Sequence, residues 1–142
     1  MEKNKGDDVL KIYTDGATRG NPGHSAYAFV FVKGEKIIYS ESQYIGYATN
    51  NTVEYVAVIE ALKKAAEYAN QTVEVYSDSK LVICQVNGEW NINYDHLKRL
   101  CQQILMQKSN FKNLLFFHVP RSHPFIIEAD RLCNRCLCCH FR

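Results

Sequence analysis

Two long β-rich runs, "HSAYAFVFVKG" at 24–34 and "EKIIYSESQYIG" at 35–46, meet at Lys33-Gly34-Glu35 with only a turn between them. So short a junction makes them an antiparallel pair. A third run, "VLKIYTD" at 9–15, precedes them, so three consecutive strands open the chain. It ends on an acid, Asp15, followed by the glycine-rich "GATRGNPG", which reads as a turn. From Asn50 to about Tyr68 the period changes to helical. Ala57, Val58, Ala61, Leu62, Ala65 and Ala69 share one stripe there, with Thr49 or Asn50 placed to cap its start. "TVEVYSD" is then a short strand, "SKLVICQVNG" a short helix closed by Gly88, and "YDHLKRLCQQILMQK" a longer helix, before "NLLFFHVP" returns to strand and "IIEADRLCNRCL" to helix. The order β-β-β-α-β-α-α-β-α, without repeat or long linker, implies an α/β chain in which helices pack on a mixed sheet.

The 142 residues, 46% of them hydrophobic, fit one compact domain, read as 1–142 with its core at about 9–137 and a short cysteine-rich tail. The start, "MEKNKGDDVL", is charged where a secretory signal would be apolar, and the longest apolar runs fall far short of the roughly 20 residues a membrane helix needs. The expectation is a soluble cytoplasmic protein without membrane partners, with its six cysteines reduced. The net charge of +2 conceals a division: residues 1–95 carry 9 basic and 13 acidic side chains, residues 96–142 carry 8 and 2. A basic region can track a phosphate backbone, although a solvated helix face gives a similar count.

Four acids stand in unexpected places. Extending the stripe of the main helix backward from Ala57 and Val58 puts Glu54 on the face turned to the core. In the last helix, Ile126, Ala129, Cys133, Cys136 and Leu137 form the apolar stripe, with Asp130 beside it. Asp78 closes "TVEVYSD" as Asp15 closes "VLKIYTD". Burying an ionised carboxylate without a partner costs several kcal/mol. Taken singly, Asp15 and Asp78 could cap turns, and Glu54 or Asp130 could pair with a base. Converging together, they would need divalent cations to offset their repulsion. All-oxygen ligation suits Mg2+, with Mn2+ as a substitute. The chemistry this favours is in-line displacement at phosphorus between two metals about 4 Å apart.

"YTDGATRGNPG", "TNNTVEYVAVIEAL", "YSDSKLVICQVNGEW" and "EADRLCN" resemble, in order, the four catalytic blocks of type 1 ribonuclease H. The resemblance spans about residues 9–137. It implies a ribonuclease H-like fold, a five-stranded mixed sheet flanked by helices, and an endonuclease that hydrolyses the RNA strand of RNA/DNA hybrids with two Mg2+ ions. It further implies that Asp15 bridges both metals, that Glu54 and Asp78 help hold one, and that Asp130 holds the other with the attacking water. The glycine-rich turn, from Gly16 through Arg19, would give the nucleic acid close access to backbone. Asn21, Thr49, Asn50 and Asn51 match residues that touch the hybrid, and an amide can both donate to and accept from a 2′-hydroxyl. Gln85 is a minor-groove candidate. Trp90 resembles the aromatic of the DNA-strand channel, though a lone Trp also suits a core. In the loop "VPRSHPFIIEAD", Arg121 and His123 compete to assist the chemistry, Arg121 by neutralising charge and His123 by moving a proton. Pro124 is expected to stiffen the loop after His123.

Three departures qualify the resemblance. Only "NIN" lies between Trp90 and Tyr94, so the basic protrusion is missing, and no separate N-terminal hybrid-binding module is expected. Binding should therefore be weaker and more salt-sensitive. Ile126 replaces the usual Asn four residues before Asp130, which should leave the loop less firmly held. The tail is rich in cysteine where relatives tend to have alanine: Cys133 and Cys136 suit core filling, and a zinc site of Cys133, Cys136, Cys139 and His140 is the alternative. The rival functions are another metal-dependent nuclease or strand-transfer enzyme of the wider group, and a catalytically silent nucleic-acid-binding module. A monomer without an obligate protein partner is expected.

Overall fold

The computed structural model describes residues 9–68 and 71–140. The charged start of the chain, and Ala69 of the helical stripe, lie outside the described residues. Five strands form one mixed sheet in the order β3-β2-β1-β4-β5, built from β1 (Val9–Arg19), β2 (Gly23–Lys33), β3 (Lys36–Ala48), β4 (Thr72–Ser77) and β5 (Asn113–His118). The first three pair antiparallel, while β1–β4 and β4–β5 are parallel. Gly34 and Glu35, at φ 54° and 65°, make the two-residue hairpin between β2 and β3, where both central residues must be left-handed.

The helices are α1 (Asn50–Ala65), α2 (Lys80–Val86), α3 (Asp95–Met106) and α4 (Pro124–His140). Thr49 caps α1 by accepting from the Thr52 amide, and Ser79 caps α2 by accepting from that of Val82. The period-2 alternation of β1 and β2 sends Ile12, Phe29 and Phe31 to the face covered by α1 and α3, and Tyr13, Ala28 and Val30 to the face covered by α4. No helix among the described residues is long and apolar enough to cross a membrane.

Three expectations are corrected. The turn after Asp15 is strand: Asp15 pairs with Ala28, Gly16 with Tyr27 and Arg19 with His24, so the glycine-rich backbone finds its partners in β2. The real turn is confined to 20–22, with Gly20 at φ 96°. Pro124 does not lie in a loop but opens α4, where its missing N–H leaves no helical bond unmade. Ile126 does not loosen the segment. It is fully buried with Tyr13, Ala28 and Ala129 and pins the first turn of α4 to the sheet.

Candidate active site

The parallel ladder between β1 and β4 ends at Thr14 and Ser77, and the next residue along each segment is an acid: Asp15, still within β1, and Asp78, just past the end of β4. They flank the C-terminal edge of the parallel pair, just past the last rung of the β1–β4 ladder. From one face α1 brings Glu54, one turn in from its start. From the other α4 brings Asp130. Gly16 permits the approach of α1, because a Cβ there would lie 2.7 Å from Val53 Cγ1 and 2.9 Å from Glu54 Oε1. On the α4 side the Cys133 thiol donates to the Asp15 carbonyl at 3.5 Å.

Ligand oxygens of Asp15, Glu54 and Asp78 lie within 4.8 Å of one another. These three share a cavity of about 230 Å³ with Gly16, Asn50, Ser79, Arg121 and Asp130. The carboxyl of Asp15 is pushed up to about 8, first by burial and then by Asp78 and Asp130. Burial followed by the charges of Asp15 and Asp78 raises Glu54 well above the usual range, while the Gly16 backbone draws it partly back. Asp78 is also raised by burial, an effect opposed chiefly by Arg121. Glu54 Oε1 is fully buried and accepts no hydrogen bond from the described residues. Acids held together with an orphaned oxygen fit hard divalent cations, which supply both the missing charge and the missing bond.

The remaining expected residues divide by position. Asn50 lines the cavity, and its backbone N–H donates to Asn21 Oδ1 at 3.0 Å, tying the β1–β2 turn to the start of α1. Thr49 and Asn51 flank it. Arg19 is exposed at the end of β1, with Nη2 3.4 Å from Cys138 Sγ. Gln85 has its amide engaged within the fold: it is buried, its carbonyl accepts from Tyr55 at 2.6 Å and its Nε2 donates to the Asn91 carbonyl at 3.1 Å. Trp90 is 46% exposed and takes no part in the core. His123 lies outside the cavity lining. It stacks on Tyr13, and its Nδ1 accepts from the Phe125 amide at 3.2 Å, which makes it the cap of α4.

Cys133 fills the core beneath Asp15, its thiol pushed up by burial and the nearby acids. Cys136 is half-buried, and Cys138 and Cys139 are exposed. Among the described residues Asp15, Glu54 and Asp78, and not Cys133, Cys136, Cys139 and His140, form a converging metal-ligand group. The zinc alternative is thereby set aside. Sequence reasoning missed Ser79, whose signal was a serine placed directly before an apolar helix.

Comparison with known proteins agrees with this geometry. The family model described as RNase H matches residues 7–127. The chain is 40% identical to the ribonuclease HI of Halobacterium salinarum over 129 residues, covering 90% of this chain and 64% of that protein. It is 38% identical over 125 residues to a bifunctional protein of Mycobacterium tuberculosis, covering 87% of this chain and 34% of the relative. The chain thus spans less than two thirds of the length of these relatives. The crystal structure of the Halobacterium RNase H1 superposes with a TM-score of 0.85 at 38% identity, over 91% of this chain and 97% of that one. LC11-RNase H1, solved in complex with an RNA/DNA hybrid, gives 0.86 at 32% identity, over 94% and 99%. The chain belongs to the RNase H family.

Proposed function

We propose that this chain is an endonuclease that hydrolyses the RNA strand of RNA/DNA hybrids. The observation that carries the reading is the convergence of Asp15, Glu54 and Asp78 on one cavity with Asp130, around the orphaned Glu54 oxygen. Asp15, Glu54, Asp78 and Asp130 would hold two Mg2+ ions, or Mn2+ in their place. Bound there, such ions would supply Lewis-acid chemistry for hydrolysis of the scissile phosphodiester.

The chain's own groups do the rest. Asn21, Thr49, Asn50 and Asn51 line up along the tied β1–β2 turn and α1 start, where amides and hydroxyls can read the 2′-hydroxyl that separates RNA from DNA. Gly16 lines the cavity, where its backbone can meet the strand, and Arg19 supplies a cation at the edge. Arg121, facing the acids across the cavity, neutralises charge on the phosphate or leaving group. His123 is committed to capping α4, so the assisting role falls to Arg121. The likeness to LC11-RNase H1, solved with a hybrid, supports this choice of substrate. A single catalytic domain acting as a monomer in the cytoplasm completes the reading.

The test is a hybrid with labelled RNA, incubated with Mg2+ or with chelator, beside duplex DNA and duplex RNA of the same sequence. Mg2+-dependent cleavage confined to the RNA of the hybrid is expected. Cleavage of duplex DNA would point to the wider nuclease group. Hybrid binding without cleavage would point to a silent module.

A further inference from the structure

β4 passes into α2 through only two residues, Asp78 and Ser79. Ser77, the last residue of β4, alternates onto the buried face with Val73 and Val75, yet it carries a hydroxyl there. Its Oγ accepts from the Ser79 N–H at 3.0 Å and so closes a turn around Asp78. Ser79 then caps α2 with its own hydroxyl. The Ser77 carbonyl accepts from the Val119 N–H at 3.0 Å, so the segment that leads to Arg121 leaves the sheet beside the same residue.

Asp78 stands between opposite pulls. Ligand oxygens of Asp15 and Glu54 lie within 4.8 Å of its own, while Arg121 offers it a cation. With no ion among the acids, repulsion favours turning Asp78 away from them and toward Arg121. Its carboxyl also draws on its own backbone N–H, which opposes the effect of burial. That N–H belongs to the peptide joining Ser77 to Asp78, and the turn closed by the Ser77 hydroxyl sets its direction.

We propose that Ser77 is a positioning residue for the reaction: by fixing the Asp78 backbone, its hydroxyl keeps that carboxylate directed at the divalent-cation site and not at Arg121. The proposal rests on the metal reading above and deepens it, adding a group that touches neither cation nor substrate. Partners that orient a ligand from behind govern metal affinity or activity by roughly 10–100-fold. Without the hydroxyl, the Ser79 N–H loses its acceptor and the Asp78 peptide is free to rotate. The loss falls on metal affinity and spares hybrid recognition, because Asn21, Thr49 and Asn50 are held by the β1–β2 turn and the start of α1, away from β4.

The test compares wild type with Ser77→Ala, Ser77→Thr and Ser77→Cys, and with Val75→Ala, which opens a cavity on the same face of β4 two residues earlier. Mn2+ binding is read without nucleic acid, from the paramagnetic resonance signal of free Mn2+, and cleavage of labelled hybrid gives kcat and KM over a range of Mn2+. Ser77→Ala should raise the half-saturating Mn2+ concentration by about ten-fold. Its kcat should fall at low Mn2+ and recover as Mn2+ is raised, with KM for hybrid unchanged. Ser77→Thr keeps the hydroxyl and should bind Mn2+ as wild type does. Ser77→Cys, a weaker acceptor, should fall between them, and it supplies the comparison with Ser77→Thr should Ser77→Ala not fold. Val75→Ala should lower Tm and leave Mn2+ affinity unchanged. Wild-type Mn2+ affinity in the variants lacking the hydroxyl, equal losses in Ser77→Ala and Val75→Ala, or a change confined to KM would overturn the positioning role while Mn2+-dependent cleavage by wild type still upheld the proposed function. A wild type that binds no Mn2+ and leaves hybrid intact would instead remove the reading on which that role rests.

Discussion

Gly16 and Glu54 are packed so closely that a single methyl group would separate them: a Cβ on residue 16 would stand 2.9 Å from Glu54 Oε1. The first strand and the first helix therefore share one contact that sets both packing and chemistry. Gly16→Ala should destabilise the fold by about 1–3 kcal/mol, the range for overpacking, and should depress cleavage at temperatures where the protein remains folded. Denaturant unfolding and single-turnover cleavage check the two effects, and wild-type behaviour in both would mean that α1 can retreat without consequence.

Asp15→Asn keeps the shape of the side chain and removes the charge around which the other acids gather. Cleavage should be abolished while hybrid affinity, measured by fluorescence anisotropy, stays largely intact. Appreciable turnover in this variant would remove Asp15 from the centre of the site.

The same acid should set a pH dependence of stability in metal-free protein. Its carboxyl stands at about 8 in the folded chain against an ordinary 3.8. Between these values the folded state binds the proton and the unfolded state does not, so this group's contribution falls as pH rises. In chelator, the Tm of Asp15→Asn relative to wild type should climb from about pH 4 to about pH 8, and saturating Mg2+ should shrink the difference. A difference that is flat across that window would show that neither burial nor the neighbouring acids raise the Asp15 carboxyl.

Arg121 faces the acids, whereas His123 holds the end of a helix. Arg121→Ala should lower kcat by about ten-fold or more, as loss of one electrostatic contact to developing charge, with little change in Tm. His123→Ala should do less to kcat but cost roughly 1 kcal/mol of stability through the lost cap. If His123→Ala proves the more damaging to kcat and removes a limb of the pH–rate profile near about pH 6–7, the roles are reversed.

Local pattern was enough to read most of this fold. The period-2 runs, the Gly34-Glu35 hairpin and the stripe of α1 are short-range features, and each acts within a few residues of the chain. Glu54 and Asp130 were legible for a related reason: a helix fixes which face a residue occupies, so an acid on an apolar face is visible before any partner is known. What lay beyond reach were outcomes that depend on segments distant in the chain. The stretch from Gly16 to Arg19 reads as a turn by composition and becomes strand because β2 offers hydrogen bonds along its length. Gln85 reads as a groove contact until Tyr55 and Asn91 take up its amide. His123 could be assigned to capping only once Tyr13 and Phe125 were placed around it. Sequence determined which groups could do chemistry, because charge and local geometry belong to the residue and its neighbours. Tertiary structure decided which of them remained free to do it, because a side chain's hydrogen bonds are settled by whatever the fold brings within about 3 Å.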